Sequence, residues 1–170
     1  MYKRQALGLS NAGYGFAAGL LYHADALSAL CAPTANSYKR LAVSNSLSGT
    51  TWSPVWKAMG DNNRTCLVRT VAGRIEWRLP DPSCNVYAAI AATLAAGLNG
   101  IDSQMTPDPA ISVDLYEQYA TGAPMPARLP RDLFEALHGL QADTVLREQI
   151  GLAFCDEFLA CLLYTSDAAD

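Results

Sequence analysis

Arg74-Ile75-Glu76-Trp77-Arg78-Leu79 alternates charged and apolar residues without a break. Period two is the mark of a half-buried strand: Arg74, Glu76 and Arg78 share one face, and Ile75, Trp77 and Leu79 the other. Just before it, Thr65 to Thr70 alternates less regularly, and Ala72-Gly73 between the two supplies a turn, so the pair reads as a hairpin. Pro80-Asp81-Pro82 breaks the chain, and Asn85 stands where it can cap a helix from Val86 to about Leu98, with Gly97 to Gly100 ending it.

Outward from this centre the periodicity turns helical. Ala6 to Cys31 carries apolar residues at helix spacing (Leu9, Phe16, Leu20, Leu27, Leu30), weakened by glycines and closed by Pro33. Residues 33 to 63 read as irregular, rich in Ser, Asn, Gly and Thr, with Trp52 and Trp56 embedded; so long a loop points to function. Leu129 to Leu137 and Thr144 to Leu159 read as a closing helical pair. No repeat or low-complexity tract interrupts this, and the mixture predicts an α+β fold.

Composition narrows the class. The 170 residues are 51% hydrophobic, enough for one domain core. The two most apolar stretches, Ala6 to Cys31 and Tyr87 to Ile101, are too polar or too short for membrane spans, and the first residues do not form a secretory signal. A cytoplasmic protein with no membrane partner is expected. The five cysteines show no C-x-x-C pair and no histidine at ligand spacing, which predicts reduced thiols instead of a disulfide framework or zinc site. The net charge of −4 hides an asymmetry. Between Pro33 and Pro80 seven basic residues face two acids, and from Asp81 onward three arginines face thirteen acids. A basic middle in an acidic chain points to a local anion site; with Trp52, Trp56 and Trp77 interleaved it also raises nucleic-acid binding, which the acidic remainder disfavours.

Taken alone, Arg74, Glu76 and Arg78 would make a solvated face whose charges neutralise one another. Arg64 and Arg69 change the balance if a neighbouring strand aims them at the same surface. Guanidinium groups bind carboxylates and phosphates in a bidentate way, and a lone glutamate among them can hold a divalent cation that bridges phosphates. The set suits a nucleotide together with an acidic substrate.

These residues carry a family resemblance. Asn36-Ser37-Tyr38-Lys39-Arg40-Leu41 is similar to the Asn-Ser-Tyr-Lys-Arg-Leu signature of glutamine synthetases. Asn62-Asn63-Arg64-Thr65 with Arg69, and then Arg74 to Asp81, resemble that family's next two blocks in order and spacing. Asn85-Val86-Tyr87 and Leu94 to Ile101 resemble the helix that follows. The resemblance implies the C-terminal part of a glutamine-synthetase-type catalytic domain, an antiparallel sheet with flanking helices. It implies a ligase joining the γ-carboxylate of glutamate to ammonia through γ-glutamyl phosphate, with ATP and Mg²⁺ or Mn²⁺.

By position, Arg40 and Arg78 would hold the glutamate carboxylates and Arg64 would sit between glutamate and the ATP phosphates as the catalytic arginine. Arg69 and Arg74 would contact ATP, and Glu76 would ligate a metal ion. A large homo-oligomeric ring is implied for the whole protein. The family's other metal carboxylates and its His-x-His segment have no match among these residues, and neither His23 nor His138 stands in for them, so the chain by itself is expected to be inactive.

The resemblance also marks a departure. Where the main family has a flap glutamate, Ser48-Gly49-Thr50-Thr51-Trp52-Ser53-Pro54 contains no acid, and alignment on the proline puts Trp52 in its place. This pattern resembles the type III-like branch, which includes glutamate–methylamine ligases. A tryptophan offers an apolar or cation–π wall suited to an alkylammonium, so ammonia and a substituted amine both stay open as nucleophile. An inactive homologue kept as an interaction or regulatory protein is the alternative of another class, which the intact arginines and Glu76 argue against.

The two ends stand apart from this reading. Met1 to Gln5 and Cys161 to Asp170 back-translate into reverse-complementary text resembling a transposase sequencing adapter, so the natural segment is expected to run from Ala6 to Ala160.

Overall fold

The structure, a computed structural model, describes residues 7–43 and 53–167. Its order is α1 (Asn11–Tyr22), α2 (Ala24–Cys31), α3 (Ala35–Arg40), β1 (Trp56–Asp61), β2 (Cys66–Val71), β3 (Arg74–Trp77), α4 (Val86–Asp102), α5 (Leu115–Ala120), α6 (Leu133–Ala142), α7 (Thr144–Ile150) and α8 (Leu152–Asp167). The α+β expectation holds. The described strands form one sheet in the order β1-β2-β3, with the helical layer packed on the face that Val68, Ile75 and Trp77 present.

The β2–β3 hairpin forms as its pattern requires. Ala72 (φ 51°) and Gly73 (φ 76°) both turn left-handed, the geometry that matches the twist of two antiparallel strands. Register places Arg69 opposite Glu76 and Val71 opposite Arg74. The antiparallel sheet expected from the resemblance therefore holds for this pair, whereas β1 runs parallel to β2. β1 lies in the stretch expected to be irregular. Trp-Lys-Ala-Met-Gly-Asp is poor in β-branched residues and shows no alternation. It is a strand because neighbours on both sides supply its hydrogen bonds: β2 on one flank, and on the other Lys57 N donating to Ala127 O at 2.7 Å and Leu129 N to Val55 O at 2.9 Å.

The same stretch hides α3. Thr34 Oγ1 accepts from Ser37 N at 3.2 Å, and Thr34 N donates back to Ser37 Oγ at 3.4 Å, a capping box closed by serine instead of glutamate. Tyr38, buried on its inner side, donates its hydroxyl to Ser28 O at 3.3 Å. Two residues later the helix delivers Arg40 to the sheet edge.

The long helix expected over residues 6–31 is two helices, divided at His23. The buried ring of His23 reaches Asp143 Oδ2 from Nδ1 at 2.5 Å and Asn99 Oδ1 from Nε2 at 3.0 Å, tying the α1–α2 junction to α4 and to the start of α7. His138, by contrast, is exposed, with its ring 4.1 Å from Phe134.

Gly97 to Gly100 do not end α4, which is capped by Asn85 as expected and runs on to Asp102. A β-carbon at Gly100 would meet Gly15 O at 2.1 Å, and one at Gly19 would meet Ala96 O at 2.1 Å. The absence of side chains is what lets α1 and α4 cross backbone to backbone. The closing pair is likewise three helices: α7 stops at Gly151, whose φ of 116° no other residue adopts easily, and α8 continues across Ala160. No described helix is long and apolar enough to cross a membrane.

Candidate active site

The polar face of the hairpin converges on Glu76. Arg69, directly across the ladder, donates from Nη1 to Glu76 Oε2 at 2.9 Å, and Arg78 Nε lies 3.3 Å from Oε1. The two arginine side chains are only 14% and 17% exposed and that of Glu76 43%, so the arginines form the floor and Glu76 the solvent-facing bridge. Arg78 continues inward, donating from Nη1 to the carbonyls of Arg64 and Cys66. Arg69 donates from Nη2 to Asn62 Oδ1.

Arg78 is held below its ordinary pKa, first by burial, with the charges of Arg69 and Arg40 acting in the same sense and that of Glu76 opposing them. It remains a cation, because arginine does not give up its proton in proteins, and the depression reflects burial first and the crowding of like charge around one carboxylate second. Such a surface attracts an anion. Cys66 beneath it is no nucleophile: burial pushes its thiol up to about 12, against the pull of Arg78.

The other expected residues arrive from separate elements. Arg40, the last residue of α3, donates from Nη2 to Leu79 O at 2.7 Å, which lays it against the chain just beyond β3, next to Arg78. Asp81, two residues on from Leu79, carries a depressed pKa; burial alone would raise it, but bonds from Ser37 and Ser83 and the charge of Arg40 outweigh that. Arg64 lies exposed in the β1–β2 link, with its carbonyl on Arg78. Arg74 is exposed at the start of β3, on the face of Glu76. The structure thus brings Arg64, Arg69, Glu76 and Arg78 together and sets Arg40 beside them, with Arg74 two residues along the strand. Trp52 lies outside the described residues.

Five residues join these elements in roles that no pattern indicated, although Asn62, Asn63, Thr65 and Ser53 lie within the quoted motifs. Asn63 donates from Nδ2 to Ile111 O at 3.2 Å and to Val113 O at 2.8 Å, and its Oδ1 accepts from Thr65 N at 3.0 Å and Thr65 Oγ1 at 2.7 Å. Thr65 Oγ1 in turn accepts from Leu115 N at 3.1 Å. Asn62, on Arg69, takes a left-handed φ of 47°. Ser53 and Tyr116 tie α5 to Arg40. Only the Asn-Asn pair before Arg64 carried a local signal, since asparagine tolerates that conformation and bonds its own backbone.

The catalytic-domain model of the glutamine synthetase family matches residues 1–165. The chain belongs to the glutamine synthetase family. It is 48% identical over 158 residues to a glutamate–methylamine ligase from Methyloversatilis universalis, and 42% identical over 158 residues to a glutamine synthetase from Rhizobium leguminosarum bv. phaseoli. Each alignment covers 92% of this chain and 36% of the relative, so the chain spans about a third of the length of the curated relatives it matches. A solved structure of GmaS in complex with ADP superposes with a TM-score of 0.87 at 40% identity, covering 99% of this chain and 39% of that one; GmaS without ligand gives 0.83 at 37%, covering 99% and 38%. The family and the catalytic-domain fold read from the sequence are therefore correct.

Glutamine synthetases use ATP and a divalent metal. The donor set here fits the first closely, as clustered guanidinium groups are made for polyphosphate. It fits the second in one ligand: among the described residues no three His, Cys, Asp or Glu side chains gather, and Glu76 is the single carboxylate within the arginine cluster. Further ligands would have to come from elsewhere in a glutamine synthetase.

Proposed function

We propose that the whole protein is an ATP-dependent ligase that joins the γ-carboxylate of glutamate to ammonia or a small amine. The observation that carries this reading is Glu76 held between Arg69 and Arg78, with Arg40 and Arg64 at the rim, in a chain of the glutamine synthetase family. In this reading Arg40 and Arg78 bind the carboxylates of glutamate. Arg69 and Arg74 hold the ATP phosphates. Arg64 lies between the two substrates and stabilises charge as a γ-carboxylate oxygen attacks the γ-phosphorus and ADP departs. The amine nitrogen then attacks the acyl carbon of γ-glutamyl phosphate, phosphate leaves, and the nitrogen loses a proton. Positioning and preorganised charge supply most of the acceleration in such transfers, which is what an arginine floor provides. Glu76 contributes one ligand to a Mg²⁺ or Mn²⁺ ion, whose chemistry is to neutralise phosphate charge. A homo-oligomer and a cytoplasmic setting complete the reading.

A substituted amine is favoured as nucleophile by one observation. Trp52 stands where a flap glutamate would, and an indole wall prefers a methylated ammonium to a bare one. The 48% likeness to a glutamate–methylamine ligase supports the same choice. Phosphate release by the whole protein with ammonia, methylamine and ethylamine tests it; a clear preference for ammonia would remove the role assigned to Trp52.

A further inference from the structure

Arg40 and Arg64 sit at the end of a six-residue helix and in a four-residue link, elements too short to fix a long side chain unaided. Both are fastened to the same third element, α5. At its N-terminal end Leu115 N donates to Thr65 Oγ1 at 3.1 Å, next in sequence to Arg64, while Asn63 grips Ile111 and Val113 just upstream. One residue further, Tyr116 donates its hydroxyl to Ser53 O at 2.8 Å, and Ser53 Oγ donates to the carbonyl of Arg40. We propose that Tyr116 is a positioning residue for glutamate binding, holding Arg40 at a fixed separation from Arg64 through Ser53. The inference rests on the glutamate-binding role given to Arg40 above.

Three features make the hydroxyl a fixed point. Asp114 caps α5, its Oδ1 accepting from Tyr116 N at 2.8 Å, so the residue cannot swing with a frayed helix end. The phenol ring stands edge-on to Trp56 at 4.9 Å, and Trp56 is 2% exposed and bridged to Arg128 on the sheet's outer edge. Burial pushes the phenol up to about 12, so it remains a donor throughout the range in which the enzyme would work. Tyr116 has no described contact with Arg69 or Glu76, which hold the nucleotide side of the site. Its loss should therefore be felt in glutamate binding and not in ATP binding.

The test is steady-state kinetics of the whole protein with Tyr116→Phe, Ser53→Ala, the double variant and Arg40→Ala. One neutral hydrogen bond predicts a rise of roughly 3- to 10-fold in KM for glutamate in Tyr116→Phe. The KM for ATP and kcat should stay within about twofold, because the retained ring keeps its contact with Trp56. Ser53→Ala should match it, and the double variant should be no worse than either single, as expected of two links in one chain. If Tyr116→Phe proves too unstable to assay, Ser53→Ala reads the same chain from its other end. An unchanged KM for glutamate in Tyr116→Phe, a parallel change in KM for ATP and kcat, or additive single effects would overturn the proposal while Arg40→Ala still raises KM for glutamate. If Arg40→Ala leaves that KM unchanged, the role of Arg40 fails, and the positioning role with it.

Discussion

Replacing Glu76 by glutamine removes one negative charge and almost nothing else, and the geometry fixes opposite signs for its consequences. Two ion pairs are lost, at 2.9 Å to Arg69 and 3.3 Å to Arg78. Because the carboxylate is 43% exposed, each pair is worth the modest ~0.2–1 kcal/mol of a solvent-screened contact, so stability should fall by about 1–2 kcal/mol at most. The amide can still accept from one guanidinium, which keeps the floor in place. The site gains one unit of positive charge, so ATP without metal should bind as tightly as before or up to several-fold tighter. Divalent-metal dependence should weaken by at least the ~10–100-fold that even an outer-sphere partner of a metal ligand typically costs. Calorimetric titration of ATP into the whole protein, with and without Mg²⁺ and Mn²⁺, separates the two effects. Were Glu76 only the counter-charge of a solvated surface, Glu76→Gln would leave the metal titration unchanged and alter stability alone; that result would refute the assignment.

Other perturbations follow from the packing. Gly19→Ala puts a β-carbon 2.1 Å from Ala96 O at the α1–α4 crossing, and the backbones must part; thermal denaturation should show a loss at or above the ~1–3 kcal/mol typical of overpacking. The pKa of His23 is raised: burial lowers it, but the bonds to Asp143 and Asn99 and the charge of Asp143 outweigh that. A raised folded value means that its stabilisation is complete below its unfolded pKa of about 6.5 and is lost as pH rises through the folded value. Denaturation midpoints should therefore fall as pH rises above about 6.5 and fall less in His23→Gln. Thr34→Ala removes the cap that starts α3, costing about 1 kcal/mol and raising KM for glutamate through Arg40. Trp52→Glu should shift the amine preference toward ammonia in competition assays.

What could be read from sequence was local, and what could not was held by distant partners. The β2–β3 hairpin announced itself because alternation and the Ala72-Gly73 turn agree, and the Asn85 cap because its two acceptor bonds are to its own helix. The arginine face was legible because period two commits Arg74, Glu76 and Arg78 to one side. β1 was hidden because its bonds are to β2 and to residues 127–129. The glycines of α1 and α4 were misjudged because their purpose is a close approach between helices far apart in sequence, which propensity does not register. The break at His23 needs Asp143, 120 residues away. α5 had a signal in Asp114, a good N-cap, but six residues between turns give helical periodicity nothing to work on. For the same reason the site's arginines could be read from sequence, whereas the bonds by which Asn63, Thr65, Ser53 and Tyr116 space them could not.

Phosphate release decides whether this arginine-and-glutamate face serves a glutamate–amine ligase. With the whole protein, glutamate, ATP and Mg²⁺, release should depend on added amine and be abolished in Arg64→Ala. Release that is independent of amine, or that persists in Arg64→Ala, would contradict that role.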